Sequence, residues 1–249
     1  MAPSPSPPRV VVMIPTYNEA ANIAALVREI LALPLPRLSV LVVDDNSPDG
    51  TADIVRALAE SDSRVELLLR TKRRGRGAAG IDGFKAAMDR GADLVVEMDG
   101  DFSHQPRYIP ALVAAAEVAG AAIGSRFVRG GADADRSVVR RAVTWSVRKF
   151  IRRRFRTPVR DVSSGFRCFT RGSLIAVDLD DLISTGPSVV LEILYKLTLR
   201  GATFREIPIE FVDRRAGRTK LSVLTLVETL VMALKFPRLY GPPPPRRRA

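Results

Sequence analysis

Three β-branched runs constrain the fold more than any other feature. Arg9–Ile14, Leu38–Val43 and Leu94–Met98 each stop at a polar, acidic loop, and a stretch of helical periodicity follows each one. Strands alternating with helices in this way pair in parallel and are covered by those helices. The chain is therefore expected to be α/β, a mainly parallel sheet flanked by helices. Further strands are predicted over Val65–Leu69, Ala121–Gly124 and Thr203–Ile209. Helices are predicted over Asn18–Leu31 with Asn18 as N-cap, Thr51–Ala59, Ala78–Arg90, Pro106–Ala119, Val138–Phe155, Ser188–Leu199 and Ser222–Phe236. No internal repeat is present.

With 249 residues, the chain fits one large domain better than two small ones. That domain is expected over residues 9–236, between a Pro/Ser/Ala-rich disordered tail (1–8) and a basic Pro-rich tail (237–249). One cysteine, Cys168, excludes a disulfide framework and a cysteine zinc site. One histidine, His104, argues against His-based metal sites and His-dependent triads. The excess of 39 Lys+Arg over 27 Asp+Glu, a net +12, favours polyanionic partners. The start MAPSPSPPR lacks the basic and apolar regions of a signal peptide. The most apolar segment, Leu221–Leu234, is interrupted by Glu228 and falls short of the about 20 residues that a membrane span needs.

Strand C-terminal ends share one edge in such a sheet, and ligands bind there. The loops Pro15–Glu19, Asp44–Gly50 and Asp99–Asp101 should therefore meet in one cleft. Asp99-Gly100-Asp101 sets two carboxylates one residue apart, which suits a hard cation bridging to phosphate, although Asp-Gly-Asp is also good turn chemistry. Asp45 at its strand end can accept from a ribose or a base, and Tyr17 can lie against a ring. The plainer alternative is that Asn18 and Asp45 only cap helices and turns. Gly75-Arg76-Gly77-Ala78-Ala79-Gly80 matches G-x-G-x-x-G. However, Arg70–Arg74 separates it from its strand, so helix-start packing is the expected reason for it rather than a dinucleotide. His104 is expected to be a polar loop residue, and Cys168 a small buried one.

IPTYNE, VVDDNSPDGT, MDGDFSHQP, GSRF, DVSSGFRCF and DRRAGRTKLS occur in this order between Val10 and Phe236. Together they resemble the polyprenol-phosphate (dolichol-phosphate) mannose synthases, which are inverting family-2 glycosyltransferases with a GT-A type fold. The resemblance implies transfer of mannose from GDP-mannose to a polyprenyl phosphate with Mg²⁺ or Mn²⁺, giving a β-linked product. It implies that Pro15, Tyr17, Glu19, Val43 and Asp45 hold the nucleoside, and that Asp99, Gly100 and Asp101 bind metal and diphosphate. Arg126 would sit at the sugar phosphate, and Arg214 and Lys220 would reach the phosphates from a mobile basic loop (213–222). Where this chain has Gly100, members often carry alanine. Where it has Ser103, some offer a glutamine as third ligand. The same fold using UDP-glucose is the near rival. A nucleic-acid-binding module is the rival from another class, but three acidic loops at one edge would repel phosphates without a cation, so no nucleic acid partner is expected. Intact Asp99 and Asp101 argue against a scaffold subunit.

Between Arg126 and Arg160 there are twelve basic and two acidic residues. The segment 126–167 is expected to face acceptor and membrane. On helix Val138–Phe155, Val139, Val143, Val147 and Phe150 share a face that should dock on the core. The sole tryptophan, Trp145, lies opposite among Arg141, Arg148, Lys149 and Arg152. A Trp among cations suits an anionic membrane surface at the cytoplasmic leaflet. Arg140, Arg141, Trp145, Arg148, Arg152, Ser164 and Arg167 are the acceptor-side candidates, with a separate membrane-anchoring protein as an optional further partner. The Asp161–Arg167 segment reads either as a salt-bridged turn or, by the resemblance, as part of the acceptor site.

Overall fold

The computed structural model describes residues 6–72, 74–133, 138–212 and 223–244, the side chains of 138–142 and 223–226 excepted. Strands β1 (Val10–Thr16), β2 (Leu38–Asp44), β3 (Val65–Leu69), β4 (Leu94–Glu97), β5 (Gly120–Ser125), β7 (Arg167–Thr170) and β8 (Thr203–Pro208) form one sheet, in the order β3-β2-β1-β4-β7-β5-β8. All pairs are parallel except those of β7, which is antiparallel to both β4 and β5. Two short strands, β6 (Ala132–Asp133) and β9 (Glu210–Phe211), pair separately.

Alternation along β1 builds the two faces. Val10, Val12 and Ile14 face a core shared with α1 (Ile23–Leu31), α2 (Thr51–Ser61) and α4 (Ile109–Ala119). Val11 and Met13 face a second core with α3 (Arg76–Asp89), α6 (Arg171–Val177) and α7 (Val189–Leu199). A third cluster joins α7 to α5 (Val138–Phe155) and α8 (Val223–Leu239), through Tyr195, Phe155 and Phe236. No helix among the described residues is long and apolar enough to cross a membrane.

Four expectations are corrected. Asn18 is not an N-cap: it has φ +61°, and α1 starts only at Ile23. The N–H groups of Asn18, Glu19 and Ala20 bond instead across to Ser47, Thr51 and Asp49 (3.0 Å each), so the neighbouring loop satisfies them and no helix forms there. Strand β7 and helix α6 were not foreseen. At four residues, β7 is too short to display periodicity, and only its neighbours β4 and β5 make it a strand. On α5 the docked stripe is Val147, Ile151 and Phe155. Val143 and Phe150 stay 44% and 38% exposed. The helix docks by its C-terminal half because Phe155 finds Tyr195 at 4.6 Å between ring centroids. Finally, the chain does not become a free tail at residue 237. Helix α8 continues to Leu239, the Tyr240 hydroxyl donates to Glu192, and the Tyr195 hydroxyl donates to the Gly241 carbonyl (2.6 Å).

Candidate active site

Parallel register sets Thr16 of β1 level with Asp44 of β2, and Met13 level with Glu97 of β4. The three polar loops therefore start side by side. Asp44 is fully buried and accepts from the Thr16 hydroxyl (2.8 Å), the Ser47 N–H (2.8 Å) and the Ser47 hydroxyl (2.6 Å). It locks the first loop to the second. The Asp45 N–H donates to the Thr16 carbonyl (3.1 Å), and its carboxylate pairs with Arg70 and accepts the Gly75 N–H (2.8 Å).

Gly100 fits the third loop against the first. A Cβ at Gly100 would lie 3.3 Å from both Glu19 Cγ and Thr16 Cγ2. That spacing sets the backbone close against the first loop and leaves little room for anything larger than a methyl group. Phe102, at φ +62°, tightens the turn that follows. Asp101 is buried and its Oδ1 accepts the Ser103 N–H (3.0 Å) and hydroxyl (2.6 Å). Asp99 is one-third exposed at the cleft edge, its side chain 33% accessible.

Arg76 and His104 frame Asp99. Arg76 donates to Glu97 Oε1 (2.7 Å) and Asp99 Oδ1 (3.1 Å). His104 Nδ1 accepts the Asp99 N–H (3.1 Å), which leaves its proton on Nε2, and the ring stacks on Phe166 with centroids 5.0 Å apart. Burial holds the His104 pKa below its ordinary value, outweighing the pull of Asp99 and Asp101. A neutral imidazole wedged this way positions the loop and is not placed as a base.

Beyond His104, whose ring meets Phe211 at 5.7 Å, lies Arg126, which is 9% exposed. Its Nε and Nη2 grip Asp161 at 2.8 and 2.9 Å, its Nη2 also reaches Ser163 (3.1 Å), and its guanidinium lies 5.1 Å from the Phe127 and Phe211 rings. Burial works against the charge on Arg126, but Asp161 more than offsets it and raises the pKa. The turn Ser163–Gly165 comes up to the acidic loop: a Cβ at Gly165 would be 3.2 Å from Arg76 Nη2 and 3.8 Å from Asp99 Oδ2.

The candidate residues thus separate into groups. Pro15, Glu19, Asp45, Asp99, Gly100 and Asp101 line or brace one edge, with Tyr17 39% exposed beside them. Val43 puts its side chain into the core. Ser164 is buried within the Ser163–Gly165 turn. Arg167 points inward: it is 1% exposed and donates to the carbonyls of Ser164 (2.6 Å), Val190 (2.6 Å) and Val162 (2.9 Å), so it offers no donor at the surface. Burial pushes its pKa down to about 10. Asp161 pairs with Arg126 rather than with Arg167. Arg214 and Lys220, with the 213–222 loop, lie outside the described residues, as do the side chains of Arg140 and Arg141.

Two other residues come from structure alone. Arg70, read only as part of an interruption, holds Asp45, and Arg76 holds Asp99. The basic run Arg70–Arg76 was the signal, but its acidic partners lie 25 and 23 residues away. Two packing expectations hold. A Cβ at Gly77 would meet the Gly186 carbonyl at 2.5 Å, so the glycine run serves the start of α3. Cys168 is fully buried, with its thiol pKa pushed up by burial.

Asp99 and Asp101 supply two hard oxygen donors on one tight turn, a set that fits a divalent cation. No group of three metal-binding side chains occurs among the described residues.

Residues 11–177 match the family described as glycosyl transferase family 2. The chain is 37% identical to the undecaprenyl-phosphate mannosyltransferase of Micrococcus luteus over 92% of its length and 93% of the relative's. It is 34% identical to the polyprenol monophosphomannose synthase of Mycolicibacterium smegmatis, covering 89% of this chain and 84% of that protein. Among solved structures, the glucosyl-3-phosphoglycerate synthase of Mycobacterium tuberculosis with UDP superposes with a TM-score of 0.67 at 19% identity, over 95% of this chain and 82% of that one. The mannosyltransferase of Pyrobaculum calidifontis, solved with GDP-Man and Mn²⁺, gives 0.63 at 23% identity, over 99% and 69%. Both share the fold of this chain, which is a single domain of GT-A type. With three strand-end loops joined around an acidic pair, and a family match over most of its length, the chain belongs to the family-2 glycosyltransferases.

Proposed function

We propose that this enzyme transfers mannose from GDP-mannose to a polyprenyl phosphate, with a divalent cation and with inversion to the β-linked product. The observation that carries this reading is the meeting of the Asp99–Asp101 loop with the Pro15–Glu19 loop, in a chain similar over nearly all its length to enzymes named for mannosyl transfer to lipid phosphates.

A lipid monophosphate has a second pKa of about 6 and is ionised near neutrality, so it attacks without a general base. That agrees with the single histidine being buried and tied to the Asp99 N–H. A divalent ion at Asp99 and Asp101 would offset the charge that grows on the departing diphosphate. Arg126, held rigid by Asp161, is assigned to the sugar-phosphate side as a fixed hydrogen-bonding group. Arg214 and Lys220 are assigned to the same diphosphate. Arg148 lies 3.7 Å over the Phe127 ring, its Nε has no hydrogen-bond partner among the described residues, and it is assigned as the acceptor-side cation of this proposal.

With GDP-mannose, undecaprenyl phosphate and Mn²⁺ or Mg²⁺, a β-mannosyl phosphoryl lipid is the expected product, its anomer read by NMR. Faster turnover of UDP-glucose, or no product on any lipid phosphate, overturns the proposal.

The lipid acceptor brings the enzyme to a membrane surface. A cleft of about 570 Å³ opens between α5 and the segment Pro242–Pro243, lined by Trp145, Lys149, Phe150, Arg153 and Arg154 among others. Trp145 is 54% exposed under the Lys149 ammonium, 4.4 Å from its ring. Arg152 turns away, donating to the Pro158 carbonyl (3.4 Å), so Lys149, Arg153 and Arg154 carry the lipid-facing charge. Each cation near an anionic leaflet contributes about 1 kcal/mol, and salt screens it. Binding to phosphatidylglycerol vesicles should therefore weaken steeply as salt rises, and the emission of the single tryptophan should shift to the blue on binding. Salt-independent binding, or a Trp145→Ala/Lys149→Ala/Arg153→Ala variant that binds as the wild type does, rules this surface out.

A further inference from the structure

We infer that Arg76 is a resident counter-cation of the acidic pair, one that a divalent ion must displace from Asp99, so that metal binding is weak until the donor diphosphate adds its own ligands. The inference rests on Asp99 and Asp101 being the metal ligands.

The placement of Arg76 is built into the start of α3. The Gly77 and Ala78 N–H groups both donate to the Thr185 carbonyl (3.1 and 3.4 Å), and Gly77 has no room for a Cβ against Gly186. The backbone at residue 76 is thereby pinned. One turn on, Gly80 lies directly beside the guanidinium and its buried partner. A Cβ there would sit 3.4 Å from Glu97 Oε1 and 3.7 Å from Arg76 Nη1. Passing Gly80, Arg76 reaches Glu97 at the end of β4.

Its two contacts are unequal. Glu97 is 1% exposed and bonds to Nη1 at 2.7 Å, whereas Asp99 is 33% exposed and bonds to Nη2 at 3.1 Å. A buried carboxylate cannot lose its cation cheaply, and a cleft-edge carboxylate can. Burial opposes the charge on Arg76, yet Glu97 and Asp99 raise its pKa well above the ordinary value, so it stays charged throughout. Arg76 is anchored on Glu97 and exchangeable at Asp99. Glu97, Asp99, Asp101 and Arg76 together carry a formal charge of two negatives, which one divalent ion would balance. In its absence the guanidinium holds Asp99 Oδ1 and repels an incoming cation. By linkage, whatever the diphosphate adds to metal affinity the metal adds to diphosphate affinity.

The test uses Mn²⁺ alone, titrated into the full chain without nucleotide or acceptor, with free Mn²⁺ read by EPR. Arg76→Met should bind Mn²⁺ about tenfold or more tighter than wild type, because one repelling charge and one competing donor are gone. Arg76→Met/Glu97→Gln restores the cluster to two negatives and removes both members of the buried Arg76–Glu97 pair together, so Glu97 is not left as a buried carboxylate without its guanidinium, and the readout does not depend on the single variant. Occupancy of Asp99 by Arg76 requires that this double variant still bind more tightly than wild type. GDP should also strengthen Mn²⁺ binding by a larger factor in wild type than in either variant. Unchanged or weaker Mn²⁺ binding by both variants overturns the inference, and so does a double variant that returns to wild-type affinity. If no protein binds Mn²⁺ saturably even with GDP, the metal reading itself fails. If wild type with GDP binds it normally and the variants do not tighten, only the role of Arg76 fails.

Discussion

Asp101→Asn is expected to fold normally and to transfer sugar about 10²–10³-fold more slowly. Asp101 does two things that the substitution separates. Its Oδ1 accepts from the Ser103 N–H and hydroxyl, closing the turn after the strand end, and an asparagine oxygen can accept both bonds. Its formal charge is the part that a divalent cation needs, and asparagine removes it. Melting temperature should therefore stay near that of wild type while turnover collapses, even at Mn²⁺ concentrations that saturate the wild type. Normal transfer by this variant, or by wild type in excess chelator, would refute the metal role.

Asp161→Asn should destabilise the enzyme by about 3–5 kcal/mol, because it strands a buried guanidinium without its counter-charge. Asp161 has no exposed surface and receives the Arg126 N–H, Nε and Nη2 at 3.1, 2.8 and 2.9 Å. Burial alone would raise its pKa, but the charge and hydrogen bonds of Arg126, helped by Ser163, bring it below the ordinary 3.8. The folded carboxyl thus releases its proton more readily than the unfolded one. Its contribution is complete above the ordinary carboxylate range and disappears as pH falls through the lowered folded value. Denaturant melts should show the full gap between wild type and Asp161→Asn at neutral pH, and a shrinking gap as the solution is acidified below 3.8. A gap that persists undiminished into strong acid would mean that packing, not charge, sets the cost. Arg126 loses its anchor in the same variant, so transfer should fall in whatever fraction remains folded.

Much of the architecture was legible because it rests on short-range pattern. Val10 to Ile14 are apolar at every position, so β1 had to be covered on both faces, and its alternation sorts Val12 and Met13 onto opposite cores. The parallel order then puts the ends of β1, β2 and β4 together, which is why Asp45 and Asp99 could be assigned to one cleft from their places after strands. The antiparallel insertion of β7 was not legible. Four residues carry no usable period, and their conformation comes from hydrogen bonds to β4 and β5. Helix α5 shows the same limit in another form. Its 3.6-residue period groups residues by face, but the face that docks is the one whose Phe155 meets Tyr195 and Phe236.

Charge pairing marks the boundary between the two kinds of information. Sequence alone determined where the acidic residues cluster and that they end strands. It could not determine that Asp45 answers to Arg70, Asp99 to Arg76 and Asp161 to Arg126, at separations of 25, 23 and 35 residues. A Coulomb interaction depends on distance through space and on how far water is excluded between the partners. Both quantities are set by the packed sheet and helices, so the same thirty-nine basic residues spell only a net charge until the tertiary structure assigns each its partner.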